Sequence, residues 1–164
     1  MIRNRRNYSL LFLAPPLAAF LVMQACGGSN DANAQEAVAD PMEGVWEGDV
    51  TLRDCTTSAT IATFRGSQVF HRGGTMSDTN STPTASRGPG FGTWVKSGST
   101  YVVRFRLFTY DSTGAVSGVV RTTRTVTLGA GGNTATSVNS TQLFDMTGAL
   151  IRSSCGTDTG ARVL

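Results

Sequence analysis

Residues 44–54 read GVWEGDVTLRD, and residues 92–110 read GTWVKSGSTYVVRFRLFTY. Each run opens on Gly-x-Trp and then alternates apolar with polar residues, the pattern of a β-strand buried on one face. In the first run Trp46, Val50 and Leu52 share a face, while Glu47, Asp49, Thr51 and Arg53 take the other. The chain's two tryptophans both stand at the start of these runs. What lies around them reads as more of the same, short strands joined by turns.

Outward from these two anchors, strand patterns fall at 61–71, 75–80, 91–96, 100–110, 116–128, 134–144 and from 150 onward. Arg72-Gly73-Gly74-Thr75 is a hairpin turn, because glycine takes positive φ without a steric penalty. Asp111-Ser112-Thr113-Gly114 and Asp145-Met146-Thr147-Gly148 share the form D-x-T-G. There Asp bonds back to the backbone and Gly takes the left-handed position. Only 80–90, NSTPTASRGPG, is long and irregular. Strands joined only by hairpins form a meander, and closing a meander removes its exposed edges. The expected fold is therefore all-β, an antiparallel up-and-down barrel of about eight strands over residues 44–164.

The N-terminus has a different character. Arg3, Arg5 and Arg6 precede a thirteen-residue apolar stretch, Leu10 to Val22, broken by Pro15 and Pro16. That is short of the ~20 residues a membrane span needs, and it reads as an export signal. It ends in Ala25-Cys26-Gly27, similar to a bacterial lipobox, so residues 1–26 are expected to direct acylation of Cys26. The alternative is cleavage after the A-x-A site at Ala32-Asn33-Ala34, releasing a soluble periplasmic or secreted protein. Residues 27–43 are polar and small, a flexible tether. The expected location is the cell envelope, with the membrane reached through the lipid alone.

Charge narrows the partners. Of 14 Lys+Arg, three lie in the export signal, leaving 11 against 11 Asp+Glu in the remainder. No basic cluster stands out along that remainder, so nucleic acid is not expected as a partner. With Cys26 assigned to lipidation, Cys55 and Cys155 are left to form one disulfide in an exported chain. If they face each other on antiparallel first and last strands, paired residues sum to 210, which sets Trp46 opposite Leu164 with Arg162 as a same-face neighbour.

At Gly44-Val45-Trp46 the chain resembles the calycins, the lipocalin- and avidin-type barrels. In lipocalins a G-x-W at the first strand places the Trp at the closed end under a late-chain Arg. The resemblance implies that Arg162 caps Trp46, with Arg152 as the rival, and that any ligand enters at the other end, beneath 80–90. Other lipocalin signatures and the C-terminal helix are missing. The strand pattern is also similar to small exported barrels of unassigned role in bacterial genomes.

No catalytic constellation is present. His71, the only histidine, has Phe70, Arg72 and Gly73 around it and no partner for acid–base or metal chemistry. CxxC, HExxH, GxSxG and P-loop patterns do not occur. No metal or other cofactor is expected. Two polar residues fall on faces read as inward: Arg124, in step with Val120, Val126 and Leu128, and Gln142, in step with Val138 and Phe144. Inside a barrel such groups must find a partner, either a ligand or another core group. The apolar interior is read as Trp46, Val50, Leu52, Phe70, Trp94, Val103, Phe105, Leu107, Val120, Val126 and Phe144. The leading expectation is a barrel binding a small apolar or amphipathic ligand, with Arg124, Gln142, Phe105 and Trp94 in contact. The alternatives are a structural or protein-interaction lipoprotein with a filled barrel and, last, a cyclase- or isomerase-like barrel using Arg124. Interior volume separates the first two.

Overall fold

The computed structural model describes residues 38–163. The stretch read as an export signal, Cys26, most of the segment read as a tether and Leu164 lie outside the described residues. Eight strands follow in order: β1 Gly44–Arg53, β2 Thr60–His71, β3 Thr75–Asn80, β4 Gly90–Ser97, β5 Thr100–Tyr110, β6 Val116–Leu128, β7 Thr134–Phe144 and β8 Leu150–Arg162. Each pairs antiparallel with the next, and β8 pairs back onto β1 to close the barrel. The turns work as their composition dictates. In both D-x-T-G turns the Asp Oδ1 accepts from the backbone N–H groups two and four residues on, and Gly114 and Gly148 take φ of 84° and 90°. Threonine hydroxyls at Thr113 and Thr147, then those backbone amides, hold the Asp111 and Asp145 carboxyls below the usual range.

One end of the barrel is plugged. Trp46, Phe70, Met76, Trp94, Tyr101, Val103, Val126 and Ala135 form the core there, together with Met42 from just ahead of β1. Phe70 meets Trp94 edge to face, with ring centroids 6.3 Å apart. Met42 is 1% exposed, and its carbonyl accepts the Trp46 indole N–H at 3.0 Å. The last residues of the stretch read as tether are thus packed beneath the barrel. Asp40 fixes that segment by accepting from the Met42 N–H at 2.8 Å and the Tyr101 hydroxyl at 2.7 Å.

Burial, then the Asp40 bond and charge, push the Tyr101 phenol up to about 12. A free tyrosine titrates near ~10, so the folded pKa is the higher one. Neutral Tyr101 therefore stabilises the fold below pH ~10, and the contribution disappears as the pH climbs from the unfolded toward the folded value. Ultraviolet titration is expected to show a late-ionising tyrosine that vanishes in Tyr101→Phe. A set of tyrosines all ionising at the ordinary value in the folded protein would contradict the Asp40 contact.

Arg162 closes the same end. Its guanidinium lies 4.7 Å from the Trp46 ring centroid and donates to the carbonyls of Pro41 and Glu43. Gly44 is what allows this approach. It sits at φ 122°, and a Cβ there would come within 2.6 Å of Arg162 Nη1. Stacking on an indole contributes about 0.5–2 kcal/mol, and carbonyl bonds from a charged donor about 1.5–3 kcal/mol. Arg162→Ala is expected to destabilise by roughly 2–3 kcal/mol in urea unfolding. A loss within ~0.5 kcal/mol, the range of an ordinary surface substitution, would show that the clamp carries nothing.

The register differs by two from the expectation. Trp46 faces Arg162 directly, and Cys155 faces Arg53 rather than Cys55. Cys55 nevertheless bonds to Cys155, with Cα atoms 5.1 Å apart. The reason is local: β1 ends at Arg53 after an irregularity in its pairing with β2. Asp54 then starts a turn, held by Thr56 and Thr57 amides on its carboxylate, that folds Cys55 back. A shift of two leaves Trp46 and Arg162 on a common face, as expected.

On β7 the face itself is reversed. Val138 is 61% exposed, and Gln142 is exposed with it. Phe144 is not an interior residue either, since Arg121 covers its ring from outside at 4.6 Å. The interior receives Ala135, Ser137, Asn139, Thr141 and Leu143 instead. Pairing decides this. Val126, Arg124 and Thr122 point inward from β6, and their direct partners are Ser137, Asn139 and Thr141.

Candidate functional site

Above the tryptophan core the barrel is not filled. A cavity of about 270 Å³ extends toward the opposite end. Part of the space comes from a row of missing side chains, since Gly66, Gly48 and Gly160 are consecutive partners across β2, β1 and β8 and all line it. Gly48 also has no alternative, because a Cβ would lie 2.2 Å from the Thr159 carbonyl oxygen. The walls toward the mouth are apolar: Val50, Leu52, Phe64, Phe105, Leu107 and Val120.

The floor is polar and charged. Arg124 reaches across the interior from β6. Its Nη2 meets Asp158 Oδ1 at 2.5 Å, its Nε donates to Ser137 Oγ at 3.2 Å, and its Nη1 donates to Gln68 Oε1. The Ser137 hydroxyl in turn donates to the second oxygen of Asp158. Gln68 passes the chain on through Nε2 to Asp78 Oδ1 at 2.9 Å, and Asp78 Oδ2 receives Arg87 Nη2 at 2.6 Å. All of these side chains are buried. The network is two Arg–Asp pairs bridged by one glutamine, so its formal charge is zero. A buried network this complete fixes its members against one another.

Among the described residues one buried side-chain atom is left over. Asn139, which directly opposes Arg124 and lines the cavity, has an Oδ1 with no hydrogen-bond partner. Its amide packs over Gly156, where a Cβ would come within 2.5 Å of that oxygen.

The far end is spanned by residues 81–89. Ser81 donates to the Arg65 carbonyl, Gly88 to that of Phe108, and the Tyr110 amide to Ser86, so the loop runs from β2 to the end of β5. It carries Arg87 inward to Asp78. Ser86, Thr82, Thr109 and Arg152 form the rim.

Of the residues singled out in the sequence, Arg124 and Phe105 meet in this cavity. Trp94 lies below it in the core, with its indole N–H on the His71 carbonyl at 3.1 Å. Gln142 is outside, on the opposite face of β7. His71 is exposed, with Nε2 3.2 Å from Ser77 Oγ. Sequence reasoning missed Gln68, Asp78, Arg87, Ser137, Asn139 and Asp158. For Asp158 a signal existed: it shares parity with Arg162 on the strand that pairs with Trp46, Val50 and Leu52. No protein-family model matches the chain, and no curated protein matches it either. The fold, a closed eight-stranded antiparallel barrel, is compatible with a calycin-like small barrel.

Proposed function

We propose that this protein is an exported, lipid-anchored barrel of the calycin type that holds a small apolar or amphipathic molecule in its interior. The cavity carries the reading. A barrel packed by its own side chains leaves few voids larger than a water molecule, whereas ligand sites occupy about 300–1,000 Å³. At about 270 Å³ this interior falls just below the second range and far above the voids of a packed core. Its chemistry supports the same conclusion, since apolar walls supply burial and a fixed polar floor supplies orientation. The Cys55–Cys155 disulfide fits an oxidising compartment, and acylation of Cys26 would hold the barrel at a membrane surface. Mass spectrometry of the membrane fraction is expected to find acyl mass on Cys26, and a soluble product starting at Gln35 would reject the anchor.

Toluene is a suitable first probe, being small and uncharged. Saturable NMR shifts are expected at Val50, Leu107 and Val120, and Val120→Trp, which fills the cavity, is expected to abolish them while the protein stays folded. Shifts that persist in the filled variant, or that map only to the outer surface, would reject the interior site and favour the filled, structural barrel.

A further inference from the structure

We infer that the interior selects an uncharged ligand bearing a hydrogen-bonding head, a hydroxyl or amide, which seats on Asn139 with its apolar part toward the mouth. This rests on the cavity reading above and specifies the chemistry of its occupant.

The first step is a balance of charge. An anionic amphiphile with its head on the floor would need a free cation there. Both floor arginines are committed, Arg124 to Asp158 and Arg87 to Asp78, at side-chain exposures of 9%/7% and 8%/8%. Each guanidinium is already neutralised by its aspartate, so a carboxylate brought to either one, even at the part of Arg87 that Asp78 leaves open, would add an uncompensated negative charge to a buried neutral network. A cationic head meets the same obstacle at the two aspartates. The floor thus has charge but none to share.

The second step concerns a buried group that has no partner. Asn139 is 9% exposed, and its Oδ1 is buried without a partner. An orphaned amide oxygen in the interior is unfavourable until something donates to it. The surrounding polar atoms do not do so: Arg124 and Ser137, its neighbours on the floor, already donate elsewhere. A ligand hydroxyl both donates and accepts, so it suits the amide in either orientation. A pure hydrocarbon would fill the walls and leave this atom unsatisfied.

The third step removes the rival site. Arg152 lines the rim and is the cation an acid could use there. It is exposed, and an ion pair in water adds little. Such a pairing would also point the end of the acid's tail at the polar floor, where apolar carbon gains least, and leave the Asn139 oxygen without a donor.

The test compares 1-octanol with octanoate on the purified protein, using toluene as the apolar reference. Octanol is expected to bind saturably, to shift the Asn139 side-chain amide resonances, and to bind at least tenfold more tightly than octanoate. Asn139→Leu is expected to weaken octanol relative to toluene by roughly three- to tenfold, the range of one hydrogen bond. The comparison of octanol with octanoate needs no variant, so it stands even if Asn139→Leu does not fold. Octanoate binding as tightly as octanol, or octanoate binding that Arg152→Ala removes, would overturn the neutral-head inference while toluene binding left the cavity reading intact. If toluene, octanol and octanoate all leave the cavity residues unshifted, the cavity reading itself falls and this inference falls with it.

Discussion

Arg124→Met is expected to destabilise the barrel by about 3–5 kcal/mol, the cost of stranding one member of a buried ion pair. The arginine holds three interior groups at once: Asp158, Ser137 and Gln68. Without it the Asp158 carboxylate keeps only the Ser137 hydroxyl inside a barrel wall, and the Gln68 carbonyl oxygen loses its donor. Methionine matches the stem but none of the donors, so the loss is electrostatic more than steric. Asp158→Leu alone is expected to cost a similar amount, now by stranding the guanidinium. The double variant Arg124→Met/Asp158→Leu is the informative one. Removing both charges restores neutrality, and the barrel is expected to recover to within about 1–2 kcal/mol of the parent, the remainder being the Gln68 and Ser137 groups left short of a partner. Urea unfolding of the four proteins gives the cycle directly. Losses that simply add in the double variant would mean that the pair is not coupled and that the floor is not a unit.

The strand ladder was legible because the turns and alternation name it. Arg72-Gly73-Gly74-Thr75 and the two D-x-T-G motifs mark hairpins by residues that the backbone there requires, and the closed barrel follows from having only hairpins to use. Trp46 with Val50 and Leu52 gave the inward face of β1 for the same reason, a strong contrast between alternate positions. β7 lacks that contrast. Its sequence TATSVNSTQLF carries apolar residues on both faces, and choosing the larger ones, Val138 and Phe144, selects the wrong side. Its true orientation is inherited from β6, so it is a property of pairing that no local pattern contains.

The polar floor was hidden for a related reason. Its members come one or two per element from β2, β3, β6, β7, β8 and the 81–89 loop, each looking like an ordinary strand or loop polar residue. Only the closed barrel brings Gln68, Asp78, Arg124 and Asp158 into one layer. Arg124 was conspicuous because a charge on an apolar face needs an explanation. Asp158 was not, since glycines at Gly156 and Gly160 flank it and erase the apolar face that would have flagged it. Arg87 lies in a loop with no periodicity at all. The cavity was equally unreadable, because it depends on Gly48, Gly66 and Gly160 falling in one row, and a row is a fact of register.

Cys55→Ser/Cys155→Ser is expected to be the second severe variant, with a loss of about 2–5 kcal/mol and a fall in Tm on the order of 10 °C. The two cysteines are 100 residues apart in sequence, and in the chain-entropy account a loop of that length is restricted by about 4.7 kcal/mol when cross-linked in the unfolded state. Their position adds to the argument. β1 and β8 are the first and last strands, so their ladder is the seam that closes the barrel. At one end of this seam Arg162 lies on Trp46; at the other, the disulfide ties the turn after β1 to β8. Without the bridge, the seam is expected to fray from the Arg53 end, next to the cavity mouth, while the Trp46 end stays clamped. Hydrogen exchange should then speed up at Arg53 and Leu52 well before Glu47 and Trp46. Reductant should lower the Tm of the parent to that of the double serine variant and leave the variant itself unchanged. If reductant shifts the parent by less than ~2 °C, or exchange rises uniformly along the seam, closure is held by the ladder and the arginine clamp alone, and the cross-link adds little to the fold.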